Sequence, residues 1–445
     1  MSVPRRSEGL NREPRPEEWL VFGFLCVILL GALLLAMPLS MKEGSDINFF
    51  DSLFTATSAV CVTGLVAADT GTTFSLFGQV VLLVLIQVGG LGFMVFATRV
   101  IVILGRRISI KNRMLIRESM NGASLSNLGN LARLYLLLAL GIEAAGAGLL
   151  AIRFIPMYGL RRGLWFAVFH AVSAFCNAGF ALFGGFSSLT AFAADPLVLL
   201  TVAALIVLGG LGFSVILEVL RSRQGFRNLS MHARIVLTFT LALLLAGTGF
   251  YLLIERGRLD AINAFFQSVT MRTAGFNSVD LSAFTDGSKL FSSLLMMIGA
   301  SPASTGGGMK TTTVAVVALL IISVVKGDSE VNAARRRISA DTVRRALAVV
   351  ALFLTMLLLG TLSLSIIEDG RFSLADILFE CSSAMGTVGV SAIGPPNLHP
   401  VSRAVLLPMM FLGRVGPLTL AVAVARRQGT ARSLSKYPEE KIMIG

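Results

Sequence analysis

Charged side chains are scarce in this chain, 14% of 445 residues against 55% hydrophobic, and acidic ones are the scarcer sign, 25 against 38 lysines and arginines. A soluble domain carries about a quarter charged residues. The deficit, with a mean hydropathy of +0.79, excludes an ordinary soluble protein and points to a polytopic membrane protein. Histidine is nearly absent, at three residues, which argues against a metal centre. The four cysteines, Cys26, Cys61, Cys176 and Cys381, lack the paired spacing of a disulfide framework or zinc site and read as small buried residues. A catalytic group is missing too: Glu143 is the one acidic residue inside an outer span, with no His, Cys or second carboxylate within helical reach. Two stretches imitate nucleotide motifs. In Gly306-Gly-Gly-Met-Lys310-Thr311, Met309 separates the Gly and Lys that a phosphate-binding loop needs adjacent. Gly89-Gly-Leu-Gly92-Phe93 returns as Gly209-Gly-Leu-Gly212-Phe213, a repetition that reads as helix packing. Neither an enzyme nor a covalent cofactor is expected.

What the chain does have is one segment four times. Phe54 precedes Gly64 by ten residues, and the same interval separates Phe169 from Gly179, Phe265 from Gly275 and Phe379 from Gly389. Each glycine closes a run of small or polar residues after a helical stretch about half a membrane thick, and an apolar span follows. Non-helical backbone at bilayer depth persists only where protein buries it or it lines a water-filled path, so four such runs imply a pore. A dehydrated cation needs oxygens in place of its water shell, and backbone carbonyls supply them without fixed charge. The candidates are the carbonyls of Val62, Asn177, Thr273 and Thr387, then those of Thr63, Ala178, Ala274 and Val388. Gly64, Gly179, Gly275 and Gly389 let each loop take conformations barred to other residues. Half-helix C-termini aimed at the cavity add partial negative charge.

The pattern predicts an all-α fold: four pseudo-symmetric helix–half-helix–helix repeats around one central pore, with eight spanning helices and four re-entrant half-helices. Repeat 1 covers residues 19–104, with Trp19–Met37, Asn48–Ser58 and Phe74–Leu104 as its segments. Repeat 2 covers 128–220 (Leu128–Ile152, Leu164–Ala174, Pro196–Leu220), repeat 3 covers 233–325 (Ala233–Ile254, Leu259–Val269, Leu290–Val325), and repeat 4 covers 346–425 (Ala346–Ile367, Leu374–Ala384, Ser402–Ala425). Residues 1–18, 105–127, 221–232, 326–345 and 426–445 are terminal segments and linkers holding most of the Lys and Arg. That excess assigns both termini and the linkers to the cytoplasm, and accounts for the net charge of +13 without nucleic acid. The first apolar run is too long for a secretory signal core. Carboxylates such as Asp46, Asp51, Asp69, Asp280 and Asp376 fall on the other side, where a negative mouth would concentrate cations.

The third inner span breaks down over residues 299–313, because Pro302 and repeated glycine oppose helix, while the other three inner helices are expected to continue. Gly299, Ala300, Ser301, Ser304, Thr305, Gly306, Gly307, Gly308 and Lys310 are therefore a candidate gate below the pore loops. Arg414 aligns with Ala300 and is expected to latch the loop across the path through its guanidinium donors, with Lys310 anchoring the far end towards the cytoplasm. Arg272, the one charge inside a pore loop, is expected to be a brace neutralised by Glu380, or by Asp376 or Asp51.

Taken jointly, Val62-Thr-Gly64-Leu65, Asn177-Ala-Gly179-Phe180, Arg272-Thr-Ala-Gly275-Phe276-Asn277, Gly386-Thr-Val-Gly389, Ile86-Gln-Val-Gly-Gly-Leu-Gly-Phe93 and Gly413-Arg-Val-Gly-Pro417 resemble the Ktr/Trk/HKT superfamily of potassium transporters. The likeness covers essentially the whole chain and is closest to the membrane subunit of the bacterial Ktr system. The resemblance implies potassium uptake in a bacterial plasma membrane, with K+ as permeant ion held by filter carbonyls and Na+ as activator. It also implies a homodimer with one pore per protomer, a cytosolic nucleotide-binding regulatory ring of RCK/KTN type, and surrounding membrane lipid. The loop Ser304-Thr-Gly-Gly-Gly-Met-Lys310 is where family members vary. The alternative is a Trk-type or ion-coupled secondary cation transporter with relaxed K+/Na+ selectivity.

Overall fold

Helix dominates because the apolar runs are rich in Leu and Ala and are interrupted mainly by glycine. The computed structural model describes residues 16–45, 47–92, 128–222, 225–333 and 336–416. The first group of helices is α1 (Pro16–Leu35), α2 (Phe49–Cys61) and α3 (Leu76–Leu91). The second is α4 (Leu128–Tyr158), α5 (Leu160–Phe175), α6 (Pro196–Leu211) and α7 (Phe213–Arg221). The third is α8 (Met231–Ile254), α9 (Ala261–Thr270), α10 (Asp286–Met297) and α11 (Thr311–Lys326), and the fourth is α12 (Ala340–Glu368), α13 (Leu374–Gly386) and α14 (Pro400–Val415). The strands among the described residues, Asn332–Ala333 and Arg336–Arg337, pair antiparallel in the connection before α12, which the sequence reading left as a plain linker.

Within α4, α8 and α12, the stretches Asn130–Tyr158, Met231–Ile254 and Ala340–Glu368 are long and apolar enough to cross a bilayer. Their outward faces, with Leu245, Leu358, Leu362 and Ile366, are exposed leucine and isoleucine. Such a surface suits hydrocarbon rather than water. Cys26 is exposed on α1, against the expectation that all four cysteines are buried, while Cys61, Cys176 and Cys381 are buried.

The short helices α2, α5, α9 and α13 lie inside this shell. Three begin at side-chain caps: Asn48 accepts from the Asp51 amide (2.8 Å), Asp260 from Asn263 (2.9 Å) and Ser373 from Asp376 (3.1 Å). Phe54, Phe169 and Phe379 are fully buried on them, and Phe265 is half-buried.

The helices that follow are corrected in one respect. The second does not continue past its glycines: α6 and α7 meet at 97°, with Gly212 at φ 93°. Helices α3 and α14 end likewise at Gly92 (φ 82°) and Gly416 (φ 91°). A left-handed backbone without a Cβ penalty stops the i→i−4 ladder at each. A stop at glycine is thus shared by the first, second and fourth, while the third breaks over the longer segment 298–310. The expected continuations at 93–104 and 417–425, the segments 1–15 and 105–127, and the C-terminal segment 426–445 lie outside the described residues.

Candidate functional site

Each short helix ends in the same backbone sequence. Val62, Asn177, Thr273 and Thr387 take left-handed φ of 56°, 58°, 74° and 51°, and two residues later Gly64, Gly179, Gly275 and Gly389 take 95°, 71°, 84° and 93°. The residue between, Thr63, Ala178, Ala274 or Val388, has negative φ. In a regular strand successive residues face opposite ways; alternating handedness instead turns successive carbonyls to one side. The amides of this stretch are consumed by the helix behind it. Thr63, Ala178, Ala274 and Val388 donate to the carbonyls of Ser58 (2.8 Å), Ser173 (2.7 Å), Thr270 (3.0 Å) and Ser383 (2.8 Å).

Hydroxyls complete the tie. Gly64 and Gly389 donate to Ser58 Oγ and Ser383 Oγ, both at 3.0 Å, Phe276 donates to Thr270 Oγ1 at 2.9 Å, and Ser173 Oγ donates to the Phe180 carbonyl at 2.9 Å. The sequence reading missed these four residues, although Ser recurs six positions before Gly64, Gly179 and Gly389. Among the described residues no hydrogen bond reaches the carbonyl oxygens of residues 62–64, 177–179, 273–275 or 387–389. A buried carbonyl without a donor is costly and rare, so this concentration of buried, unpaired acceptors has the chemistry of a cation site.

The four segments close into a ring in sequence order. A Cβ added to Gly64 would meet the carbonyl oxygen of Ala178, one on Gly179 that of Ala274 (2.9 Å), one on Gly275 that of Val388 and one on Gly389 that of Thr63. Gly64, Gly179, Gly275 and Gly389 thus meet at one centre. On one side the four glycines floor a cavity of about 470 Å³ whose wall includes Asp69 and Asp280.

On the other side lies the segment between α10 and α11. Gly306 and Gly307 press on the hydroxyls of Thr273 and Thr387 so closely that a Cβ on either would overlap them. Ser301 and Thr305 donate through their amides to the carbonyls of Gly210 (3.0 Å) and Gly209 (3.1 Å), which the break at Gly212 leaves without helical donors. Thr305 Oγ1 donates to the Phe175 carbonyl at 2.9 Å, the Gly308 amide to Gly413 at 3.1 Å, and Gly299 is paired with Met309 at 2.8 Å. Ala300 and Ser301 are buried in this knot, and Ser304 Oγ closes on the Ser301 carbonyl. The Arg414 guanidinium donates to the carbonyls of Thr305 and Gly89, and to that of Gly90 at 3.1 Å. Arg414 therefore joins the loop to α3 as well as to its own helix.

Two expectations are corrected. Lys310 does not anchor the loop away from the ring; its ammonium folds back onto the Gly306 carbonyl at 2.7 Å, because that buried loop offers the nearest acceptor. Arg272 is buried but pairs with none of the three carboxylates named for it. Glu380 accepts from Ser391 and from the amides of Ala392 (2.9 Å) and Ile393 (3.0 Å), Asp376 pairs with Lys289 at 2.7 Å, and Asp51 pairs with Arg403. Arg272 instead follows the C-terminus of α9, where the helix dipole favours a cation. Glu143 has no such partner on its own helix and is met by other elements: Gln87 Nε2 donates to both its oxygens (3.0 and 3.1 Å) and the Cys176 thiol lies at 3.9 Å.

A family profile described as TrkH, cation transport protein, matches residues 24–246 and 238–434. The chain belongs to this family. Ktr system potassium uptake protein B of Bacillus subtilis (strain 168) is 39% identical over 440 residues, 97% of this chain and 97% of that protein. The protein of the same name from Vibrio alginolyticus is 38% identical over 452 residues, 99% and 97% of the two chains. Potassium/sodium uptake protein NtpJ of Enterococcus hirae is 36% identical over 441 residues, 97% of each. The crystal structure of the potassium transporter TrkH from Vibrio parahaemolyticus matches with a TM-score of 0.69 at 18% identity, over 95% of this chain and 87% of that one, a likeness in fold. The family is one of ion transport proteins, and the chain is a membrane protein and not an enzyme.

Proposed function

We propose that the chain is the membrane subunit of a potassium uptake system, with one pore per protomer at the carbonyl ring. The observation that carries this is the cyclic contact of Gly64, Gly179, Gly275 and Gly389 with the carbonyls of the next segment, Ala178, Ala274, Val388 and Thr63. Rings of oxygens from residues 62–64, 177–179, 273–275 and 387–389 replace the hydration shell of K+, which is cargo here rather than a resident cofactor. The four groups of helices act as pseudo-symmetric repeats, with α2, α5, α9 and α13 as re-entrant half-helices. The cavity edged by Asp69 and Asp280 is the outer vestibule.

The segment 299–313 is the gate, held under the ring by Arg414, Gly209 and Gly210. Opening requires the loop to leave Thr273 and Thr387, and the basic connection between α11 and α12 is the handle for a cytosolic nucleotide-binding ring. Relatives named for potassium uptake in the Ktr system at 39% and 38% identity favour this reading, and a homodimer in a bacterial plasma membrane, cytoplasmic termini and activation by Na+ complete the proposal. A second reading, relaxed K+/Na+ selectivity, draws on the relative named for both ions and on one glycine per segment. Isotope flux through the purified chain in liposomes, with and without a sodium gradient, separates them. Potassium-selective flux supports the first, equal sodium flux the second, and no cation flux even in the variant lacking Ala303–Gly308 sinks both.

A further inference from the structure

Resting on the reading that the chain spans a bilayer, we propose that the groove between α4 and α6 holds one acyl chain of an anionic phospholipid whose headgroup is taken by Arg133. The groove measures about 390 Å³ and is lined along α4 by Leu137, Gly141, Ala145 and Leu149 and along α6 by Leu205 and Leu208, with Thr201 as its one hydroxyl. The four α4 residues recur every fourth position and stand on one face. From first to last they span about 18 Å at the helical rise. One leaflet of hydrocarbon is about 15 Å deep, so the groove is one acyl chain long.

Glycine makes the groove. A Cβ on Gly141 would meet nothing within 4 Å, whereas Gly146, about one and a half turns nearer the outer end, is pressed onto Leu205. The helices touch at that point, and beside Gly141 the surface is open, while Tyr135 nearer Arg133 packs on Phe213. Arg133 is the next position on the same ladder, one turn beyond Leu137, at the depth where a headgroup phosphate meets the last turn of hydrocarbon. Its side chain is exposed and makes no hydrogen bond or ion pair among the described residues. No acidic residue lines the groove, and Glu143 on the opposite face of α4 is buried against Gln87. An apolar slot ending in one unpaired guanidinium matches an acyl chain ending in a phosphate. The occupant bears on function through α6, because Gly209 and Gly210, directly after Leu208, accept the Thr305 and Ser301 amides that hold the loop.

The test is native mass spectrometry of the full-length chain, purified in mild detergent, with phosphatidylglycerol and phosphatidylcholine of matched acyl chains. Phosphatidylglycerol is expected to bind about fivefold more tightly, the scale of one arginine at a membrane surface. Arg133→Gln should abolish the preference while both lipids still bind. Gly141→Leu, which fills the groove without displacing a neighbour, should abolish both. No preference in the wild type, or unchanged phosphatidylglycerol binding by either variant, overturns the proposal. So does a changed oligomeric state of Gly141→Leu, which would make the groove a contact between copies. Potassium flux in liposomes of either lipid is measured alongside. Its absence everywhere would count against the functional reading, while the binding assay would still decide the lipid site.

Discussion

At the scale of single residues, the ring depends on glycines that have no room for a methyl group. In Gly275→Ala and Gly389→Ala the new Cβ meets a neighbouring carbonyl oxygen, and left-handed backbone alone costs a Cβ roughly 1–2 kcal/mol. The potassium-over-sodium flux ratio should fall about tenfold or more in either variant, since 1.4 kcal/mol is a factor of ten; an unchanged ratio would remove the ring from the conduction path. The hydroxyl ties are a gentler probe. Ser383→Ala removes the acceptor of the Gly389 amide, a loss of about 1 kcal/mol. Potassium affinity should weaken several-fold with expression intact.

At the scale of elements, the loop between α10 and α11 and its latch are separable from the ring. Deleting Ala303–Gly308, or replacing Arg414 with Ala, removes the donors and acceptors that join the loop to α3 and α6. Partner-free flux in liposomes should rise at least several-fold in both. Flux that stays low would exclude the loop as gate. At the outer ends the helices are pinned by carboxylates. Glu255, just beyond α8, accepts from the Thr285 amide and hydroxyl, both at 3.1 Å, and so ties α8 to the start of α10. Burial acts to raise its carboxyl, but hydrogen bonds from Ser288, Thr285 and Arg258 outweigh burial and hold it below the ordinary carboxylate value. A depressed folded-state value means this stabilisation is present above the unfolded value, about 4.3, and is lost as pH falls through the folded one. Thermal stability in detergent should therefore drop on acidification below about pH 4, and less steeply in Glu255→Gln.

At the scale of the whole molecule, cyclic order is the property that matters. Lys289–Asp376 and Arg403–Asp51 join the third group to the fourth and the fourth back to the first, so the ring is closed by tertiary contacts as well as by its carbonyls. Adding the cytosolic partner should raise flux through the wild type. It should add little in the variant lacking Ala303–Gly308, because the obstruction it acts on is gone. A partner effect of equal size in both would place control outside the loop.

The sequence by itself determined the membrane class, the four Phe-to-Gly segments, the broken third inner span and the resemblance carried by those motifs. All of these are local: apolar periodicity, half-length helices and glycine spacing are written in consecutive residues. It also singled out Arg414, because alignment along the inner helices puts it level with Ala300. Tertiary structure decided the rest. Gly209-Gly-Leu-Gly212 reads from sequence as helix packing, and only the structure shows that the helix breaks there, with the Ser301 and Thr305 amides taking the freed carbonyls. Lys310 turned inwards and Arg272 was left to a helix C-terminus because the acceptors and carboxylates within reach were set by distant elements. The closing of Gly389 onto Thr63, across about three quarters of the chain, is a contact no local pattern encodes. It arises because four short helices, each followed by the same left-handed turn, can pair their free carbonyls with open glycine faces only by meeting around one axis.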